Sequence, residues 1–225
     1  MALPAQHRAH NLLCRPLSHT CPNVRPAGYS ARRAAAPAPC RAAAVDTKSV
    51  VAELLADIAS IPGPRRADTP AEVQARIFSR VDQLKAAQQG STTTEASTLS
   101  ATWKLLWTTE KETLFIVKNA PVFGTKAGGV YQVIDVDAKR LQNVITFPPS
   151  GAFIVDSSIA VEGPQRVSFK FNAAKLKTAS RDWGVPPFGQ GWFDTVYVDG
   201  KIRIAQDIRG DTLIVENDGP PRIFE

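Results

Sequence analysis

The chain has 225 residues, with 27 basic and 21 acidic side chains and a formal charge of +6. Six of the basic residues, all arginines, precede Asp46, the first acidic residue; the 21 that remain balance the 21 acids, so the surplus is no argument for a nucleic-acid partner. All three histidines and all three cysteines (His7, His10, His19, Cys14, Cys21, Cys40) also lie in the first forty residues, which leaves residues 46–225 without the usual general base, the commonest metal ligand or a thiolate nucleophile.

Residues 1–45 combine Arg8, Arg15, Arg25, Arg32, Arg33 and Arg41 with many Ala and Pro residues. A cationic, acid-free segment of this kind is the composition of a transit peptide, expected to be removed near residues 41–45. Arg and Pro interrupt every apolar stretch in it, which argues against a secretory signal. Further along, no apolar run approaches the ~18 residues that cross a membrane, so contact with a membrane or lipid body is expected to be peripheral.

Residues 46–89 predict a helical segment. Val50, Leu54 and Ile58 recur every four residues, as do Val73, Ile77, Val81 and Leu84, giving two amphipathic helices broken at Ile61-Pro62-Gly63-Pro64. The second is predicted to start at Thr69-Pro70-Ala71-Glu72, read as an N-cap Thr, a first-turn Pro and a capping-box Glu.

A Ser/Thr/Gly linker over 90–98 follows, and the period then changes from four to two. Residues 90–225 predict strands at Thr102–Thr109, Thr113–Lys118, Val130–Asp137, Leu141–Phe147, Ala152–Val161, Arg166–Phe171, Phe193–Val198, Lys201–Asp207 and Thr212–Glu216. Asp199 and Gly200 read as a type I′ hairpin turn. Strands in hairpin succession predict a mainly β protein, an antiparallel up-and-down barrel or sandwich preceded by the two helices. Phe153, Val155, Ile159 and Val161 share one face of their strand, interrupted by Ser157, and Val167, Phe169 and Phe171 share one face of the next. Such rows either fill a barrel of about eight strands or leave room for one small ligand.

The chemical motifs are sparse. Phe123 to Gly129 is glycine-rich but lacks the Gly-Lys-Ser/Thr order of a phosphate loop and precedes a strand, so a flexible connection is the better reading. Asp135 and Asp137 beside Lys139 and Arg140 read as a turn rather than a cation site. Without histidine after residue 19 a Ser-His-Asp triad is excluded. Residues 173–192 read as a long connection in which Trp183, Phe188 and Trp192 either plug one barrel end or serve function.

Three segments, Leu99–Thr109 with Trp103 and Trp107, Val130–Asp135 with Tyr131, and Tyr197–Ile204 with Asp199-Gly200, together resemble the plastid lipid-associated proteins, or plastid fibrillins. The resemblance spans roughly residues 48–216. It implies a lipocalin-like antiparallel β-barrel, a chloroplast location at plastoglobules, thylakoids or stroma, and binding of a hydrophobic small molecule such as a prenylquinone, carotenoid or acyl lipid. It also implies that Trp103 and Arg203 stack to close one barrel end. Candidate ligand contacts are Trp107, Tyr131, Phe153, Phe169, Trp183, Trp192 and Tyr197, with Asp199 and Gly200 assigned to their turn. No catalytic residue, metal or cofactor is expected. A structural coat of plastid lipid bodies with a filled barrel, and a cofactor-free isomerase or cyclase, are the competing functions.

Overall fold

The computed structural model describes residues 45–61, 69–120, 126–178, 181–186 and 189–225. The arginine-rich leader up to residue 44, the Pro62–Pro64 break and Phe123–Thr125 lie outside them.

Helix α1 (Thr47–Ala59) starts where Asp46 caps it, its Oδ1 accepting from the amides of Lys48 and Ser49 at 3.2 and 3.4 Å. Helix α2 (Ala71–Ala87) has Pro70 at its cap, one residue later than the sequence reading predicts. The Thr69 hydroxyl accepts the indole N–H of Trp107 at 3.0 Å, tying the helix entry to the sheet. Val50, Leu54 and Ile58 of α1 and Val73, Ile77, Val81 and Leu84 of α2 are buried together, as their four-residue spacing predicts. Arg76 and Arg80 pair with Asp57, and Arg80 also with Glu53, across the outer side of the helix pair.

Among the described residues, nine strands form one antiparallel sheet: β1 (Ala101–Thr108), β2 (Val130–Asp135), β3 (Arg140–Phe147), β4 (Gly151–Val161), β5 (Arg166–Lys177), β6 (Asp182–Val185), β7 (Gln190–Val198), β8 (Ile202–Asp207) and β9 (Thr212–Asn217). The order β4-β3-β2-β1-β9-β8-β7-β5 closes on itself because β4 also pairs with β5, giving a lipocalin-like barrel of eight strands. The first half of β5 pairs with β7 and its second half with β6, so β6 extends the wall at one end.

Three expectations are corrected here. Thr113–Lys118 is not a strand but part of helix α4 (Lys111–Asn119), in which Thr113, Ile116 and Val117 turn toward the barrel while Phe115 faces out. The β-favouring Thr113, Phe115, Ile116 and Val117 mislead the period count, and packing against the barrel end decides. The supposed loop over 173–192 is largely strand, since β5 continues to Lys177 and β6 returns along it; Pro187 and Phe188 lie outside the described residues. Gly128 and Gly129 likewise extend the β2–β3 ladder: Gly128 N–H donates to Thr146 O at 2.6 Å, and Thr146 N–H to Gly129 O at 2.9 Å.

The barrel has distinct ends. At one lie the turns β2–β3, β4–β5 and β7–β8; Thr93 donates its N–H to Pro164 O of the β4–β5 turn, and the short helix α3 (Ala96–Leu99) leads into β1. Thr93 Oγ1 donates to Thr195 O at 2.8 Å, and Leu99, fully buried, accepts the Trp103 indole N–H at 3.0 Å. Asp135 accepts from the Ala138 amide at 2.9 Å, so it serves its turn. Asp199 Oδ1 accepts from the amides of Lys201 and Ile202 at 2.7 and 2.8 Å. Gly200 and Lys201 are both absent from the positive-φ residues, so the hairpin is closed by this carboxylate rather than by a type I′ turn. At the other end, α4 packs Ile116 and Val117 against Ile145, Phe147, Phe153 and Leu176.

Helices α1 and α2 lie on the outside of the barrel, over Trp107, Val196, Tyr197, Ile202, Ile204 and Ile214. Gln88 fastens the end of α2 to β7: its amide accepts from Val198 N at 2.9 Å and donates to Val198 O at 2.7 Å. This satisfies backbone groups next to the bulge where the β7 register shifts between Thr195 and Tyr197.

Candidate functional site: the barrel lumen

Side chains of alternate parity point inward, and their sizes determine what the barrel can hold. Toward the closed end, Ala101, Trp103, Ile134, Leu141, Ile159, Val167, Phe193, Val198, Ala205 and Val215 fill the cross-section. Toward the α4 end the filling stops and leaves a cavity of 580 Å³, within the range that holds a drug-sized ligand. Phe153 and Val155 of β4, Phe169 and Phe171 of β5, Leu105, Phe193, Leu213 and Val215 supply its apolar wall.

The sequence-predicted residues divide sharply. Phe153 and Phe169 line the cavity. Tyr131 reaches its edge while its ring stacks on Phe224, 5.1 Å between centroids. Trp107 and Tyr197 do not face the lumen. Simple alternation would place Trp107 with Trp103 and Leu105, and Tyr197 with Phe193 and Thr195, but a register shift in each strand turns both outward under the helices. There Trp107 meets Phe78 edge-on at 5.7 Å, and the Tyr197 hydroxyl donates to Asp199 at 3.0 Å. Desolvation, aided by that carboxylate, pushes the Tyr197 phenol up to about 12. Trp192 also points outward, with the Arg166 guanidinium 3.7 Å above its ring, and Trp183 is 52% exposed beside Arg181. Four of the seven candidate contacts thus lie away from the cavity.

Trp103 and Arg203 are both fully buried below the cavity, with the guanidinium carbon 5.5 Å from the indole centroid and 5.4 Å from that of Phe193. Arg203 donates through one terminal nitrogen to Gln132 Oε1 and through the other to Thr195 Oγ1 at 3.4 Å, and its Nε has no partner. Desolvation pulls the guanidinium down to about 9, opposed by the field of Glu110, so it stays cationic at neutral pH.

Sequence reasoning missed the polar members of the site. Gln132 and Asn143 occupy inward positions in the rows Val130-Gln132-Ile134 and Leu141-Asn143-Ile145, directly opposite one another in register. A polar residue at an apolar beat of a strand was the available signal. Around the mouth stand Glu110, Glu112, Asp207, Arg209 and Asp211. Arg209 pairs with Glu112 of α4 and with Asp207 at 3.3 Å, which ties the helix to the β8–β9 hairpin. Desolvation in the lining holds the Glu110 carboxyl above the ordinary 4.5, with Asp207 and Asp211 adding to the rise and its hydrogen bond from Thr113 opposing it. Among the described residues no cluster of three or more His, Cys, Asp or Glu could hold a metal ion, and no helix is long and apolar enough to cross a membrane.

Fold and cavity together define a lipocalin-like protein: a closed antiparallel barrel, capped by a helix, with an apolar lumen. The family model described as PAP_fibrillin matches residues 50–216, and the chain belongs to this family. Over 140 residues, 62% of this chain and 66% of the relative, it is 55% identical to the probable plastid-lipid-associated protein 11, chloroplastic, of Arabidopsis thaliana. The chain thus aligns with just under two thirds of that relative's length, and its location is the chloroplast. No solved structure matches it.

Proposed function

We propose that the chain is a plastid lipid-associated protein that carries one small hydrophobic molecule in its lumen. The observation that carries this reading is the 580 Å³ cavity beneath α4 in a barrel whose opposite end is packed solid. Burying about 400 Å² of apolar ligand surface there contributes roughly 10 kcal/mol gross at ~25 cal/mol/Å², from which association and ordering costs subtract. A prenylquinone, a carotenoid or an acyl lipid each supplies such surface. The reading is of a binder and not of an enzyme, in keeping with the lipid association in the relative's name.

Contact with a plastoglobule or thylakoid surface is the second reading. It is favoured by Phe115 and Ile208, 67% and 54% exposed, which sit on the helix and hairpin that bound the cavity mouth. Protein isolated from chloroplasts and extracted with solvent tests the first reading: about one hydrophobic molecule per chain is expected. A lipid-free protein that nevertheless floats with vesicles contradicts the carrier and favours the coat.

A further inference from the structure

We infer that the lumen is built to receive an uncharged lipid head-first, with a carbonyl oxygen of the ligand accepting a hydrogen bond from the side-chain amide of Asn143. The inference rests on the carrier reading and adds the chemical class and orientation of the ligand.

The direction of the polar chain in the barrel fixes this. A guanidinium has donors only, so Arg203 can meet Gln132 only at its oxygen. That orients the Gln132 amide, and its Nε2 donates to Asn143 Oδ1 at 3.0 Å. Asn143 in turn has its oxygen occupied and its Nδ2 left over. Among the described residues no protein group accepts from that nitrogen, and Asn143 lines the cavity. The buried cation therefore propagates one polarity through two amides: every hydrogen bond points from Arg203 toward the lumen and ends on a free N–H. Such chains polarise their members, which strengthens the last donor. A ligand with hydrocarbon alone leaves that donor unmet at a cost, whereas one with an acceptor oxygen at its end satisfies it.

The charge of the lining decides between acceptors. Its charged members are Glu110, Glu112, Asp207 and Asp211 against Arg209, four carboxylates to one guanidinium. The buried Arg203 attracts an anion, but it stands behind Gln132 and is not in contact with the cavity. A fatty carboxylate must pass the acidic mouth and remain in its field, while a ketone, ester or quinone carbonyl meets no such barrier.

The test uses three probes of equal chain length: a long-chain methyl ketone, the alkane and the fatty carboxylate. Binding is read by displacement of a fluorescent hydrophobic dye from the lumen, and the environment of the bound ketone by its carbonyl stretching frequency. The wild-type protein is expected to hold the ketone about five- to tenfold more tightly than the alkane, the yield of one hydrogen bond, and to lower the carbonyl frequency. Asn143→Asp keeps the acceptor that Gln132 needs and replaces the outgoing N–H by a carboxylate oxygen, which cannot donate when ionised. In it the ketone should bind no more tightly than the alkane, and the carbonyl shift should vanish. Asn143→Leu, which removes both groups, should give the same equalisation if the aspartate variant fails to fold. Equal wild-type affinity for ketone and alkane overturns the inference and leaves the carrier standing, and so does tightest binding of the carboxylate. Binding of none of the three overturns the carrier itself.

Discussion

The two ends of the barrel are made from the same strands yet obey different rules. At the closed end, Trp103, Leu99 and Arg203 have no solvent exposure, and Thr93 and Thr94 hydrogen-bond to Gly163 and Pro164 of the β4–β5 turn. At the other end, α4 contains no fully buried residue, and the polar contacts that tie it to the strands include Arg209 to Glu112 and the Glu110 N–H to Thr108 Oγ1. The closed end is therefore the packed one, and the α4 end holds the space. Elements with few buried apolar contacts open first in local unfolding, so α4 is expected to open before the closed end.

The largest effect should come from the closed end. Trp103→Ala is expected to cost about 3 to 5 kcal/mol in chemical denaturation, the range for removing a buried aromatic ring. Combined with Arg203→Met in a double-mutant cycle it should show a coupling of about 0.5 to 2 kcal/mol, and strict additivity would mean that the stacked geometry has no energetic content.

A smaller, pH-dependent effect is expected at the mouth. The native Glu110 carboxyl keeps its proton to higher pH than the unfolded chain does, so the wild-type protein loses stability as pH rises from about 4.5 through the raised native value. Glu110→Gln removes that loss. Thermal melts across pH should show a flatter profile for the variant and a higher melting temperature at neutral pH; identical profiles would place the carboxyl in water.

The smallest change in stability belongs to the tie between α4 and the hairpin. Arg209→Ala should alter stability by no more than about 0.5 kcal/mol, since the pair is exposed. Ligand release measured by stopped flow should nonetheless quicken, and added salt should quicken it in the wild-type protein but not in the variant. An unchanged release rate would deny α4 its role as the cover.

Much of this architecture was legible in residue periodicity. The four-residue spacing of Val73, Ile77, Val81 and Leu84 set the buried face of α2, and the alternation of Phe153 and Val155 set the lumen face of β4. Alternation failed for Trp107 and Tyr197 because each lies just past a bulge, and one inserted residue reverses every later side chain without leaving a local mark in the sequence. Thr113–Lys118 misled for another reason: β-favouring residues fold as helix where the barrel end offers Ile116 and Val117 a surface. Gln132 and Asn143 were visible as polar beats in apolar rows, but their meaning depends on Arg203, brought to them from 60 or more residues away by the barrel's closure.

The central claim, one ligand in the lumen, is tested most directly by native mass spectrometry with an uncharged polyene alcohol. The wild-type chain should take up a single molecule. Val155→Trp, which extends a lining side chain into the cavity, should take it up markedly more weakly. Several molecules per chain, or equal uptake by the variant, would contradict the account.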